Sequence, residues 1–204
     1  MLPRARVTTD INAVSNVLTH AFRNIAVTAY VLREKDSKWT APNIPVDLLE
    51  PKMLEWTTYK SSIGGELVEA GDYAAVAIWF PPGVNLPPSP DDDEKIVQYR
   101  KVSGEIKKQF LKGRQYWYLN MLARHPERTE PGVIRALFDP YIARAKQDDV
   151  PLWLEAVSDH SRQVYEHFGF KTVAEFRMGA GKATPEGDLQ EGGEGVRLFA
   201  MILE

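Results

Sequence analysis

Residues 116–170 read YWYLNMLARHPERTEPGVIRALFDPYIARAKQDDVPLWLEAVSDHSRQVYEHFGF, and the pattern within them decides the fold. An apolar run, 116–123, is followed by a charged turn containing Pro131-Gly132. A helical pattern comes next, then a second apolar run, 152–157, and a short helix that closes at Gly169-Phe170. Strand, turn, helix, strand, helix is a βαβ unit with a trailing helix.

Upstream, AAVAIWF (74–80) is almost wholly apolar, which suits a central strand covered on both faces. With 66–70 and the Gly71-Asp72 turn it reads as a hairpin over 66–70 and 73–80. Pro81, Pro82, Pro87, Pro88 and Pro90 then predict an extended loop. The acidic run 91–94 opens a helix to about residue 111. Acidic groups in its first turn, and Lys107, Lys108 and Lys112 at its end, complement the helix dipole. At the amino end, 5–8 reads as a short strand. Asp10 then caps a helix whose apolar positions Ile11, Val14, Leu18, Ala21 and Phe22 recur at helical spacing. A second helix is predicted over 25–34, a loop over 35–45, and a third helix over 48–61, with Pro51 in its first turn. Downstream, 171–178 and 196–203 read as strands flanking a mobile, Gly-rich loop at 179–195. With 204 residues, no internal repeat and no linker-like stretch, the expectation is one domain over 1–204.

Composition narrows the function. A net charge of -3 argues against an electrostatic nucleic-acid binder. The absence of cysteine removes disulfides, thiolate zinc sites and cysteine nucleophiles, and four scattered histidines make no metal centre. No stretch approaches a membrane span, and the first ten residues lack the apolar core of a signal peptide, so a soluble cytoplasmic protein is expected.

The turn after the first strand of the 116–170 unit is where chemistry is expected. A helix entered through a glycine presents unpaired N–H groups and the positive end of its dipole, which together attract an anion such as a phosphate. Gly132 permits close approach, and Arg128 and Arg135 flank it.

The sequence at this point resembles the Gcn5-related N-acetyltransferase (GNAT) superfamily. The resemblance is carried by AIWFPPG (77–83), LARHPERTEPGVIRALFDPYIARA (122–145), LWLEAV (152–157) and SRQVYEHFGF (161–170). It implies an α/β (α+β) fold: a mixed, mostly antiparallel sheet of about six to seven strands, splayed in its middle and flanked by helices. It also implies acetyl-CoA as donor, with pantetheine along Leu122, Ala123 and Arg124. The pyrophosphate would lie on the turn formed by Arg128, Thr129, Glu130, Gly132, Val133, Ile134 and Arg135. Tyr165 falls where many members carry the tyrosine that protonates the departing thiolate, and Ser158 where a CoA-contacting Asn is frequent. The turn departs from the family pattern: Thr129 stands for Gln or Arg, Ile134 for Gly or Ala, Pro131 supplies no N–H, and Glu130 adds negative charge. One lost charge-assisted hydrogen bond costs about 1.5–3 kcal/mol, or roughly ten- to hundredfold in affinity, so CoA binding is expected to be weakened.

Acyl transfer to an amine also needs a base. Glu155, inside LWLEAV, is the candidate, because desolvation would raise its pKa toward a useful value. A Glu satisfied by neighbouring hydrogen bonds is the competing reading, and His125, His160 and His167 are alternatives. Tyr30, Trp56, Tyr59 and Trp79 are the expected acceptor-binding aromatics. Two functions follow: an N-acetyltransferase acting on a small-molecule amine, or a GNAT-fold protein that has lost CoA use and binds a small molecule or catalyses an isomerisation, elimination or cyclisation. Neither a nucleic acid nor a membrane is an expected partner, and oligomeric state is not legible.

Overall fold

The computed structural model describes residues 3–84, 86–87 and 93–204. Pro88, Pro90, Asp91 and Asp92, from the expected loop and helix start, lie outside the described residues. Among the described residues seven strands form one sheet in the order β1-β2-β3-β4-β5-β7-β6. The strands are β1 (Ala5–Val7), β2 (Glu66–Ala70), β3 (Ala75–Phe80), β4 (Trp117–Arg124), β5 (Leu152–Ala156), β6 (Lys171–Met178) and β7 (Val196–Leu203). The helices among the described residues are α1 (Ile11–Phe22), α2 (Ala26–Leu32), α3 (Val46–Ser62), α4 (Glu94–Leu111), α5 (Val133–Asp148) and α6 (Asp159–His167). Neighbouring strands pair antiparallel except β4 and β5.

That exception shapes the molecule. β4 and β5 pair only over Trp117–Leu152, Tyr118–Trp153 and Leu119–Leu154. Beyond Leu119, β4 continues against β3 to Arg124, while β5 stays with β7 to Ala156. The sheet opens between them. Each face carries its own core. Val14, Leu18, Met53, Val76, Ile78 and Met121 pack on the side of α1 to α4, and Trp79, Leu137, Phe138, Tyr141 and Leu154 on the side of α5 and α6. All six residues of β3 are buried, as an apolar run covered on both faces requires.

Local chemistry explains the element boundaries. Asp10 accepts from the Ala13 N–H at 2.9 Å and caps α1, and Asp93 accepts from Lys95 N at 2.7 Å to cap α4. The hairpin starts its second strand at residue 75 rather than 73. Asp72 and Tyr73 take positive φ (53° and 58°), and the Tyr73 N–H donates to the Glu69 carboxylate at 3.1 Å. Helix α3 starts at Val46 behind Pro45, so Pro51 lies in its second turn and not its first. The 179–195 segment is also not a loose loop. Its backbone is knitted by bonds such as Gly181 N to Gly193 O (2.7 Å) and Gln190 N to Lys182 O (2.9 Å). Asp188 pairs with Arg33 at 3.0 Å, and Ala183 is fully buried, so the glycines serve a tight fold-back against α2.

Candidate active site

The opening between β4 and β5 has a helix start on one face and a cavity on the other. On the first face, Gly132 caps α5 with φ 81°, a left-handed conformation that favours glycine. The first backbone bond into the helix runs from Ala136 N to Gly132 O. The N–H groups of Val133, Ile134 and Arg135 therefore have no acceptor within the helix, at the place where the sequence led to the expectation of an anion. The Val133 side chain is core, packed against the β2–β3 turn at Gly71, so only its backbone can serve a ligand.

The rest of the turn is occupied by the chain itself. Arg128 donates to Gly71 O at 2.9 Å and to Asp72 O at 3.3 Å, and its Nε lies 2.6 Å from Glu130 Oε1. Arg124 donates to Arg128 O at 2.9 Å. Both arginines thus brace the loop. The backbone N–H of Glu130, the Arg128 guanidinium and the Thr129 N–H hold the Glu130 carboxyl below its ordinary range. Pro131 contributes no donor. Arg135 pairs loosely with Asp139 at 3.8 Å and lies over the Phe168 ring. Thr129 is exposed, Ile134 and Leu122 are half-buried, and Ala123 is buried in β4. The Ser158 side chain is consumed in a capping box with Ser161, accepting the Ser161 N–H at 3.1 Å, so it is a helix cap.

Tyr165 projects from α6 onto the same face, edge-on to Phe138 and beside Phe170. Burial pushes its phenol pKa up, and its hydroxyl has no hydrogen-bond partner among the described residues. A neutral phenol with an unused proton is what an acid for a leaving thiolate requires.

On the opposite face lies a cavity of about 570 Å³, walled by α1, α2, α3, α4 and β4. Of the aromatics expected to bind an acceptor, Trp56 and Tyr59 line this cavity, with the Tyr59 hydroxyl donating to Pro87 O at 2.8 Å. Tyr30 and Trp79 do not line it. Tyr30 is 1% exposed, packed under Gly179, and Trp79 is stacked on Tyr141 at 4.4 Å in the other core. Large aromatics are the residues a core uses most readily, and sequence spacing did not reveal which face these two would take.

The cavity floor holds a polar network that sequence reasoning identified only at Glu155. Its carboxylate accepts from Ser103 Oγ (2.6 Å), Tyr118 OH (2.7 Å) and Trp153 Nε1 (2.8 Å), and pairs with Lys107 Nζ at 3.1 Å. The Lys107 ammonium also sits 3.8 Å from the Tyr118 ring centroid. Burial alone would raise the pKa of Glu155. The Lys107 charge and the three hydrogen bonds outweigh it and hold the carboxyl below its ordinary range. The expected upward shift is therefore reversed: Glu155 is ionised and weakly basic. Ser103 and Tyr118 stand between it and the cavity that they line. Asn120 is the bulged residue of β4, falling between the pairs Trp79–Leu119 and Ile78–Met121. Bulges re-aim side chains beside sites, and Asn120 and Met121 both line the cavity. The missed residues did leave a trace. Tyr116, Tyr118 and Asn120 alternate along one strand, and Ile96, Tyr99, Arg100, Ser103 and Lys107 share a helical stripe. The histidines offer less. His20 and His125 lie with ring centroids 5.0 Å apart near α1, away from the cavity lining. Among the described residues no cluster suits a metal ion.

Residues 6–85 match the family described as the YOR012W acetyl transferase domain. An uncharacterized N-acetyltransferase of Schizosaccharomyces pombe, C550.08, is 31% identical over 145 residues, covering 60% of this chain and 57% of that protein. The match thus spans just over half the length of that relative. Among solved structures, the carboxy-terminal condensation domain of Ebony, bound to β-alanyl-dopamine, superposes with a TM-score of 0.71 at 13% identity, covering 100% of both chains. Arylalkylamine N-acetyltransferase 2 of Aedes aegypti gives 0.59 at 17% identity, over 98% of each. At these identities the two structures speak to the fold alone. Among the described residues no helix is long and apolar enough to cross a membrane.

Proposed function

We propose that the chain is a member of the Gcn5-related N-acetyltransferase superfamily and that it transfers an acyl group from a thioester donor to the amine of a small aromatic molecule. The observation that carries this reading is the opening beyond Leu119–Leu154, which has a helix start and Tyr165 on one face and an aromatic-walled cavity on the other. A donor entering from the helix side and an acceptor from the cavity side would meet in the gap. The aromatic acceptor follows from Trp56, Tyr59, Tyr99, Tyr116 and Tyr118 in the cavity wall. It also agrees with the two structural neighbours, one an arylalkylamine N-acetyltransferase and the other bound to β-alanyl-dopamine.

The chain's groups divide the work. The donor supplies an acyl group activated as a thioester. Backbone 120–124, unpaired on its β5 side, lies along the donor track, and the N–H groups of residues 133–135 face its anionic end. Ser103 and Tyr118 each donate to Glu155 and can pass on a proton taken from the acceptor nitrogen. Tyr165 donates its phenol proton to the leaving sulfur. At rest Glu155 is ionised near neutral pH and so can take the proton from the acceptor nitrogen, because Lys107 and three hydrogen bonds outweigh its burial.

A second reading is favoured by one observation. The Glu130 carboxylate already lies in the loop, bonded by Arg128 Nε at 2.6 Å, beside a Pro131 that offers no N–H. In this reading the fold no longer uses acyl-CoA and serves a CoA-independent reaction in the same cavity. Calorimetric titration with acetyl-CoA, followed by a thiol-release assay with phenethylamine and tryptamine, separates the two. Binding below millimolar with amine-dependent thiol release is expected. Absence of binding at millimolar acetyl-CoA sinks the acetyl-CoA reading and leaves the second.

A further inference from the structure

Asn120 sits where β4 leaves β5, and its hydrogen bonds follow from the charge on Glu155. An ionised carboxylate only accepts, so the Tyr118 hydroxyl, 2.7 Å from Glu155 Oε2, must donate to it. Its single proton committed, that hydroxyl meets Asn120 as an acceptor, and the Asn120 amide presents Nδ2 to it at 3.2 Å. The amide orientation is set by this chain of donors, and Oδ1 is turned away from Tyr118. Oδ1 is buried and receives no hydrogen bond. Buried acceptors are nearly always satisfied, and one left open inside a site is a place where a ligand's donor removes a standing cost.

We propose that Asn120 Oδ1 is the docking point for the amine of the acceptor, with Tyr118 and Glu155 as the groups that fix its direction. This deepens the acyltransferase reading and rests on it for the acceptor class. The bulge places Asn120 in the cavity lining one residue beyond the last β4–β5 pair, Leu119–Leu154. An amine held there lies at the parting of the strands, where the thioester must be met. Tyr118, from the same strand, Tyr116, just before it, and Tyr99, from α4, supply rings for the acceptor's aromatic part. The subsite therefore takes a primary amine carried on a short arm from an aromatic ring. An N–H donor is required at the inner end, because the open Asn120 Oδ1 accepts.

The test is calorimetric binding of phenethylamine and tryptamine, without any acyl donor, to the wild-type protein, Asn120→Leu and Tyr118→Phe. Leucine keeps the branched shape of asparagine without its acceptor, and binding is expected to weaken about ten- to hundredfold. Phenylalanine keeps the Tyr118 ring but removes the hydroxyl that orients the amide, and a smaller loss of about three- to tenfold is expected. Wild-type affinity in both variants overturns the assignment, and so does failure of the wild type to bind either amine. If Asn120→Leu does not fold, Tyr118→Phe decides alone. Acetyl transfer assayed in parallel keeps the two proposals apart. Transfer with an unchanged amine KM in Asn120→Leu overturns the docking point and leaves the transferase standing. Binding that depends on Asn120 without any transfer does the reverse.

Discussion

Replacing Lys107 by methionine should reverse the pH dependence of stability around Glu155. The Glu155 side chain is 3% exposed, and the Lys107 ammonium 3.1 Å away supplies its counter-charge. Desolvation is the largest single influence on this carboxyl and opposes ionisation. Lys107 and the bonds from Ser103, Trp153 and Tyr118 together overcome it. Methionine keeps most of the apolar stem over the Tyr118 ring and removes only the charge. An unpaired buried carboxylate costs about 3–5 kcal/mol, a large share of the roughly 5–15 kcal/mol that holds a domain together. In the wild type the folded pKa lies below the unfolded one. Glu155 therefore stabilises the fold above the ordinary carboxylate range, and that contribution is lost as pH falls through the folded value. In Lys107→Met the folded pKa rises above the unfolded one, so the penalty is present at neutral pH and relieved on acidification. Urea unfolding at pH 7 and pH 5 checks this. Lys107→Met should lose about 3–5 kcal/mol at pH 7 and regain part of it at pH 5. The double variant Lys107→Met/Glu155→Gln should recover most of the loss. A loss under about 1 kcal/mol at pH 7, or a stability that falls on acidification in parallel with the wild type, refutes the account of this ion pair.

Three further outcomes follow from the same structure. Tyr165→Phe should leave urea stability within about 0.5 kcal/mol, because its hydroxyl has no hydrogen-bond partner among the described residues, while transfer slows about a hundredfold; an unchanged rate removes Tyr165 from the acid role. Glu130→Gln takes a negative charge from the helix start and should tighten acetyl-CoA binding about fivefold at low salt, less at high salt; equal affinity in calorimetry contradicts the competing-carboxylate account. Gly132→Ala forces a side chain into φ 81° and should cost about 1–2 kcal/mol in urea unfolding, with a neutral result showing that the turn relaxes freely.

Much of the architecture was legible in residues 116–170. The two apolar runs became β4 and β5, the intervening helix became α5, and the expected splayed sheet is present with its one parallel pair. The glycine-led start of α5 was also legible, since Gly132 before a helical pattern fixes backbone geometry locally. The partners of its charged residues were not. Arg128 reaches Gly71 and Asp72, 57 and 56 positions away in the chain, and no local pattern encodes that. Glu155 could be read either as a desolvated base or as a satisfied carboxylate, and the deciding charge comes from Lys107 on α4. From the sequence that lysine was helix-end punctuation. Tyr30 and Trp79 show the same limit from the other side, because an aromatic ring suits a core and a cleft equally well.

The sequence by itself determined the order of strands and helices, the apolar centre of the sheet and the glycine-led start of α5. Each depends on periodicity or backbone conformation within a few neighbouring residues. Only the tertiary structure decided what the site can do. It brought Ser103 and Lys107 from α4 against Glu155 from β5, fixed Tyr118 and so turned the Asn120 amide, and set Tyr165 on the opposite face of the opening. Protonation and hydrogen-bond direction depend on groups far apart in the chain, and they are settled when those groups are packed together out of water.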